Sequence, residues 1–233
     1  MAAIKQLYDL QSVDLELDWR HVRLAEIGRA LGDDSALVPV RHEVARRKTV
    51  SQKSTGEQTN LDTIIGGFEA KIAEAEAKLY GGNVSQAREL QDLQADIDML
   101  KRQRGEQEDL LLAVLDQVDE AQKSYESGAK TLSKREATWV ADQESMTKEQ
   151  AVLEGELGGL QSDRDGRAAG IPAPEMALYE QVRKTHDGRA VAVLHGSTCD
   201  SCRVGIPNRQ VQDARTSDKP VRCPNCGLIL LPE

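Results

Sequence analysis

Cys199-Asp200-Ser201-Cys202 is followed, after twenty residues, by Cys223-Pro224-Asn225-Cys226-Gly227, and these are the only four cysteines of the chain. Two C-x-x-C pairs joined by a short arm have the ligand spacing of a tetrahedral four-cysteine zinc site. Each pair sits on a tight turn that aims both thiolates at one point, and Gly227 lets the backbone bend close to the sulfurs. Short apolar runs surround the pairs: Ala190 to Leu194, Leu228 to Leu231, and between them Val204 to Ile206 with Val221. They read as the small strands of a zinc ribbon. All four ligand positions are filled by protein, so the expected role of the metal is structural rather than catalytic.

Two other uses of four cysteines are weaker. Disulfides suit a secreted chain, but MAAIKQLYDL lacks the basic-then-apolar layout of a signal peptide. A rubredoxin-like iron site would carry an aromatic core, and residues 189–233 contain no Phe, Tyr or Trp. One zinc ion per chain is the expectation, held by Cys199, Cys202, Cys223 and Cys226.

Working outward, the 233 residues include one Phe, two Trp and four Tyr, little material for a large globular core. Charged residues make up 30% against 39% hydrophobic, and strand-forming runs are scarce before residue 189. That balance points to long helices in a coiled coil. The net charge of -9 is uneven: residues 189–233 hold six basic and four acidic groups, and the first 188 hold 24 and 35. The long part therefore repels nucleic acid overall, and only the ribbon end is locally basic. No apolar run approaches the roughly eighteen residues of a membrane span, and the expected location is cytoplasmic.

Three helical segments precede the ribbon. The first, about 2–31, has Leu7, Leu10, Leu17, Leu24 and Leu31 on a 3,4-spaced seam with Asp14, His21 and Gly28 at alternate positions. Gly32 to Ser35 and Pro39 interrupt it, with Asp34 or Ser35 as candidate cap of the next helix. The second, about 36–80, has its clear seam through Leu61, Ile65, Phe68, Ile72, Ala75 and Leu79, and meets Ser51, Ser54 and Gln58 earlier. Tyr80-Gly81-Gly82-Asn83 reads as a turn, with Asn83 or Ser85 capping the third helix. That third segment, about 85–164, has its seam through Leu90, Leu93, Ile97, Leu100, Leu111, Val114 and Val118, interrupted by Arg104 and Gln107, and is apolar only every seventh residue from Leu132 onward. Some eighty residues at about 1.5 Å each make a helix of about 120 Å.

Segments one and two together match segment three in length, and both outer halves are sparse. A single antiparallel hairpin explains both facts, whereas a three-helix bundle explains neither. Folding at Gly81-Gly82 pairs residues whose numbers sum to about 163–165, setting Leu17 against Met146, Leu24 against Trp139 and His21 against Asp142. It also sets the basic Arg41, Arg46, Arg47, Lys48 and Lys53 beside Asp109, Asp116, Asp119 and Glu120, as cross-helix charge matching. The expected architecture is mainly α: a long kinked antiparallel coiled-coil hairpin over 1–165, turning near 80–84 and kinked near 32–39, then a linker and short helix over 166–188, and a small β zinc ribbon over 189–233. The short helix, 175–186, presents Met176, Tyr179 and Val182 on one face. His195 lies near the ribbon, but four cysteines already fill the site. No Ser/His/Asp set, phosphate-cradling loop or close carboxylate pair stands out, so no enzyme activity and no small-molecule substrate are expected.

Leu79-Tyr-Gly-Gly-Asn-Val-Ser85, Glu89-Leu-Gln-Asp-Leu-Gln94, Leu178-Tyr-Glu-Gln-Val-Arg183 and the two cysteine motifs ending Cys226-Gly-Leu-Ile-Leu230 carry a resemblance. Through them the whole chain resembles a bacterial four-cysteine zinc-ribbon family with a long coiled-coil hairpin, long catalogued as a domain of unknown function. The chain departs from the family at Gln86-Ala-Arg88 and Ile206-Pro-Asn208, and Leu231 replaces a family-typical aromatic. The resemblance implies zinc at the four cysteines. It also implies an adaptor or chaperone-like role, since members are linked to RNA, to transcription factors, or to flagellar and secretion machinery.

Two functions are expected from these features. In the first, the protein binds a protein partner, because unfilled seam positions on an acidic hairpin leave room for a partner helix. In the alternative, the ribbon binds RNA or DNA through phosphate contacts from Arg203, Arg209, Arg215, Lys219 and Arg222. Without ribbon aromatics such binding would read little sequence.

Overall fold

A computed structural model describes residues 2–82, 86–217 and 219–232. The order is α1 (Ala2–Ala30), α2 (Val38–Tyr80), α3 (Ala87–Ala169), α4 (Ala173–Lys184), β1 (Val191–His195), β2 (Thr198–Cys199), α5 (Asn208–Thr216) and β3 (Ile229–Pro232). The fold is mainly α, a coiled-coil hairpin with a small C-terminal sheet. The chain divides into two compact units, Met1–Asp33 with Asp142–Glu233, and Asp34–Ala141.

In the second unit α2 runs antiparallel to the first part of α3. Its apolar seam is thin, with Leu61, Ile65 and Ile72 buried from α2 and Ile97 and Val114 from α3. Polar pairs fill the gaps. The buried Ser51 hydroxyl donates to Gln122 Oε1 at 2.9 Å, Arg41 pairs with Glu136 and Lys101 with Glu76. α2 starts without a side-chain cap: its N-cap is Leu37, and the Asp34 carboxylate instead pairs with Arg41 at 2.6 Å. Gly66 and Gly67 lie inside α2. The expected caps Asn83 and Ser85 lie outside the described residues.

In the first unit α1 runs antiparallel to the end of α3. Arg23 bonds Glu149 through both Nε and Nη2, Arg20 bonds Glu156, and Gln143 bridges the Gly32 N–H and the Ala30 carbonyl. These contacts correct the expected alignment, since the α3 partner sits about ten residues, or three turns, later than a fold at Gly81-Gly82 gives. Leu17 is therefore not level with Met146, nor His21 with Asp142. A slide of about three turns returns the same faces of two helices to each other, so helical periodicity alone does not choose between the registers. The cross-helix ion pairs fit only one.

The basic stretch of α2 is corrected for the same reason. Arg46 and Arg47 both reach Glu43 within their own helix, and Asp119 pairs with Lys123 within α3. Among the described residues of this stretch, Arg41 crosses to Glu136 as an ion pair, and Arg47 Nη1 crosses to the Ser124 carbonyl at 3.2 Å.

α3 continues through Gly166 to Ala169 before Ile171-Pro172 releases the chain into α4. Tyr179 and Val182 are buried on one face of α4, and Met176 packs beside them. β1 is the middle strand of three, antiparallel to β2 and parallel to β3, with Ala192 opposite Leu230. Gly205 and Arg222 contribute single bridges rather than strands. α5, which the apolar runs did not announce, carries Val211 and Ala214 three apart on its buried face. One core joins Ile4, Leu7 and Leu10 of α1 to Tyr179 and Val182 of α4 and to the sheet residues Leu194, Ile229 and Leu230.

Candidate metal centre and the base that carries it

Two turns with the same backbone logic bring the cysteines together. After β2, Cys199 N–H donates to the Val204 carbonyl at 3.2 Å and Arg203 N–H returns to the Cys199 carbonyl at 2.8 Å. Before β3, Cys223 N–H donates to Leu228 O at 2.7 Å and Gly227 N–H to Cys223 O at 2.9 Å. Each turn closes on a left-handed residue, Arg203 at φ 57° and Gly227 at φ 78°. Glycine announces the second; an arginine gives no such signal for the first. A Cβ at position 227 would lie 3.1 Å from Arg222 Nη2, so any side chain there would also have to displace the tip of that arginine.

The four Sγ atoms lie within 4.8 Å of one another. Across the two turns Cys199 is 3.8 Å from Cys226 and Cys202 is 3.7 Å from Cys223. Sulfurs about 2.3 Å from a common centre in a tetrahedron are about 3.8 Å apart, so the spacing fits zinc. It is far beyond a disulfide, and all four are free thiols. Cys199 and Cys223 are buried while Cys202 and Cys226 are partly covered. Burial pushes the Cys199 thiol up and that of Cys226 up to about 12. The Val204 N–H pulls Cys202 down to about 6. Such a set favours a divalent cation, which holds all four as thiolates and offsets their charge. The four cysteines form the metal site, and His195 takes no place in it.

The centre is fixed to the helices by polar contacts that the sequence did not reveal. Gln11 of α1 is 6% exposed. Its Oε1 accepts from the N–H groups of Ala190 and Val191 at 2.6 and 2.7 Å, and its Nε2 donates to Val191 O at 3.0 Å. One side chain thus does for the start of β1 what a neighbouring strand would do. Asp14, one turn on, is 1% exposed. It accepts from Arg164 Nε at 2.6 Å and from the Tyr179 hydroxyl at 2.7 Å. Arg183 bonds Asp18 at 2.6 Å and lies 3.7 Å from Asp14, while Arg164 also bonds Glu180. Two carboxylates of α1 are thereby tied to α3 and α4. Burial, then the bond to Asp14, raise the Tyr179 phenol above its ordinary range.

The five basic residues singled out for phosphate contact are all exposed. Arg209 and Arg215 stand on the exposed side of α5, and Arg203 and Lys219 are exposed in the loops that flank it. Arg222 is committed to the ribbon, its Nε donating to Gly227 O at 2.7 Å.

Residues 10–187 match the CT398-like coiled coil hairpin domain, and residues 198–230 match the C4-type zinc ribbon domain. An uncharacterised protein of Mycobacterium tuberculosis is 29% identical over 242 residues, covering 99% of this chain and 96% of the relative. Among solved structures, CT398 from Chlamydia trachomatis superposes with a TM-score of 0.67 at 17% identity, covering 100% of this chain and 98% of that one. A Mycobacterium smegmatis protein gives 0.62 at 22% identity over 99% and 97% of the two chains. HP0958 from Helicobacter pylori gives 0.52 at 16% identity over 100% and 98%. At these identities the structures show a shared fold.

Proposed function

Because the chain belongs to the CT398-like coiled coil hairpin family and ends in a C4-type zinc ribbon, we propose that it is a non-enzymatic adaptor of the cytoplasm that binds a protein partner along its helices. The ribbon would hold one zinc ion per chain through Cys199, Cys202, Cys223 and Cys226, and the metal would fix the base rather than react. The supporting observation is the amount of large apolar surface left on the helices. Trp19 is 57% exposed, Val22 60%, Leu110 54% and Leu112 64%. On a chain with net charge -9, such side chains offer a partner helix apolar contact while the acidic surface disfavours phosphate. No helix among the described residues is long and apolar enough to cross a membrane.

Affinity capture from a native lysate, with and without nuclease, tests the reading. Proteins retained in both arms support it. Proteins retained only without nuclease, or no protein at all, overturn it.

The exposed guanidinium groups of Arg203, Arg209 and Arg215 support a second reading, phosphate binding at the ribbon. It requires binding of RNA or DNA that falls steeply with salt.

A further inference from the structure

The correction at the basic stretch leaves a charge problem in the second unit. Residues 41–53 and 123–135 together carry nine Lys or Arg and two Glu, on a chain of net charge -9. The acids expected to neutralise them are elsewhere. Arg41 has two carboxylate partners and Lys123 has Asp119, but Arg46 and Arg47 share the single Glu43. Among the described residues no ion pair to Arg135, Lys130 or Lys134 falls within salt-bridge distance, and all three are exposed.

This basic belt borders a groove between α2 and α3. A cavity of about 280 Å³ is lined by Val40 and Val44 on one wall and by Gly128 and Arg135 on the other. A second, of about 180 Å³, continues it past Val50 and Ala121, and both share Glu43 and Arg47. Gly128 makes room for the Arg47 side chain, whose Cδ lies 3.3 Å from where a Cβ would stand and whose Nη1 donates across the groove to the Ser124 carbonyl at 3.2 Å. From Pro39 to Val50 the groove follows α2 for about 18 Å, roughly three turns of a partner helix.

We propose that this groove docks an acidic amphipathic helix of a protein partner, with apolar side chains against Val40, Val44 and Val50 and carboxylates toward Arg46 and Arg135. It rests on the protein-partner reading above and names where and with what chemistry that partner binds. A basic rim alone would suit any polyanion. The floor is apolar, however, and phosphate gains nothing from it. Glu43 stands where the two cavities join, kept ionised by Arg46 and Arg47, which lower its carboxyl to about 2. An amphipathic helix uses both the rim and the floor.

The test uses the full-length protein and fluorescence anisotropy with a labelled 18-residue synthetic peptide, leucines at i, i+3, i+4 and i+7 and glutamates between. A peptide of the same composition in scrambled order and a single-stranded RNA oligomer serve as competitors. The helical peptide binds at least tenfold tighter than the scrambled one, and RNA does not displace it at comparable concentration. Arg46→Glu with Arg135→Glu weakens binding tenfold or more. Gly128→Leu, which fills the groove without changing charge, does the same, with unchanged helix content by circular dichroism as the fold control. Equal binding of the scrambled peptide, displacement by RNA, no binding of the helical peptide, or full binding by either variant overturns the proposal. Lysate capture separates this from failure of the adaptor reading. A partner retained equally by wild type and the double variant overturns the groove alone, whereas no partner on wild type overturns the reading beneath it.

Discussion

The Tyr179 hydroxyl donates to the Asp14 carboxylate across 2.7 Å, joining α4 to α1 between two groups that are 0% and 1% exposed. Asp14 is held on its other oxygen by Arg164. Replacing Asp14 by Ala removes the charge that two arginines face, so it should destabilise the first unit by about 3 kcal/mol. Tyr179→Phe leaves the Arg164 pair in place and should cost about 1 kcal/mol. Urea unfolding of both variants measures the order; equal losses would contradict it.

Alkali should act through the same pair. The folded pKa of Tyr179 is raised, so its contribution to stability is present below the unfolded value of about 10 and is lost as pH climbs toward the folded one. Subtracting the phenolate absorbance titration of Tyr179→Phe from that of wild type isolates this group. Its ionisation should begin only above about pH 10 and should coincide with loss of tertiary structure. Ionisation at the ordinary tyrosine value would show that the phenol is not buried against a carboxylate.

Gln11→Ala should loosen the ribbon without touching a ligand. Two buried N–H groups, of Ala190 and Val191, lose their acceptor, at a cost of about 3 kcal/mol. Hydrogen exchange at these two amides should accelerate while zinc content stays constant. Unchanged protection would mean that the strand holds itself.

The register can be read by crosslinking. Cysteines at Ser51 and Gln122, whose side chains touch at 2.9 Å, should be bridged within one chain by a short bifunctional thiol reagent. Cysteines at Leu17 and Met146 should not, being about 15 Å out of level. The opposite result would restore the alignment centred on Gly81-Gly82.

Chelation should expose how far the metal's influence reaches. Without zinc the ribbon loses its constraint, and because Ile4, Leu7, Leu10, Tyr179 and Val182 share its core, exchange should rise there as well as over residues 190–231. Residues 34–141 form a separate unit and should keep their helix signal. Metal analysis should give one zinc per chain beforehand, and iron with visible absorption would refute the assignment.

The sequence alone was sufficient for everything governed by local chemistry. Two C-x-x-C pairs announce a four-thiol site because a tight turn can aim two sulfurs wherever it sits. Seven-residue leucine spacing announces long paired helices, because a helix carries its own periodicity. Gly227 likewise marks its turn through its own backbone. Tertiary structure decided what depends on residues far apart in the chain. A slide of about three turns keeps the same helix faces together, so cross-helix pairs such as Arg23 with Glu149 set the register. Asp14 looks, in sequence, like the polar half of a weak seam. It becomes a buried anchor because Arg164 and Tyr179 arrive from 150 and 165 residues away, a coincidence no local pattern encodes. Gln11 is the same case: its amide is an ordinary polar side chain until the fold brings the start of β1, which β2 does not reach, against it.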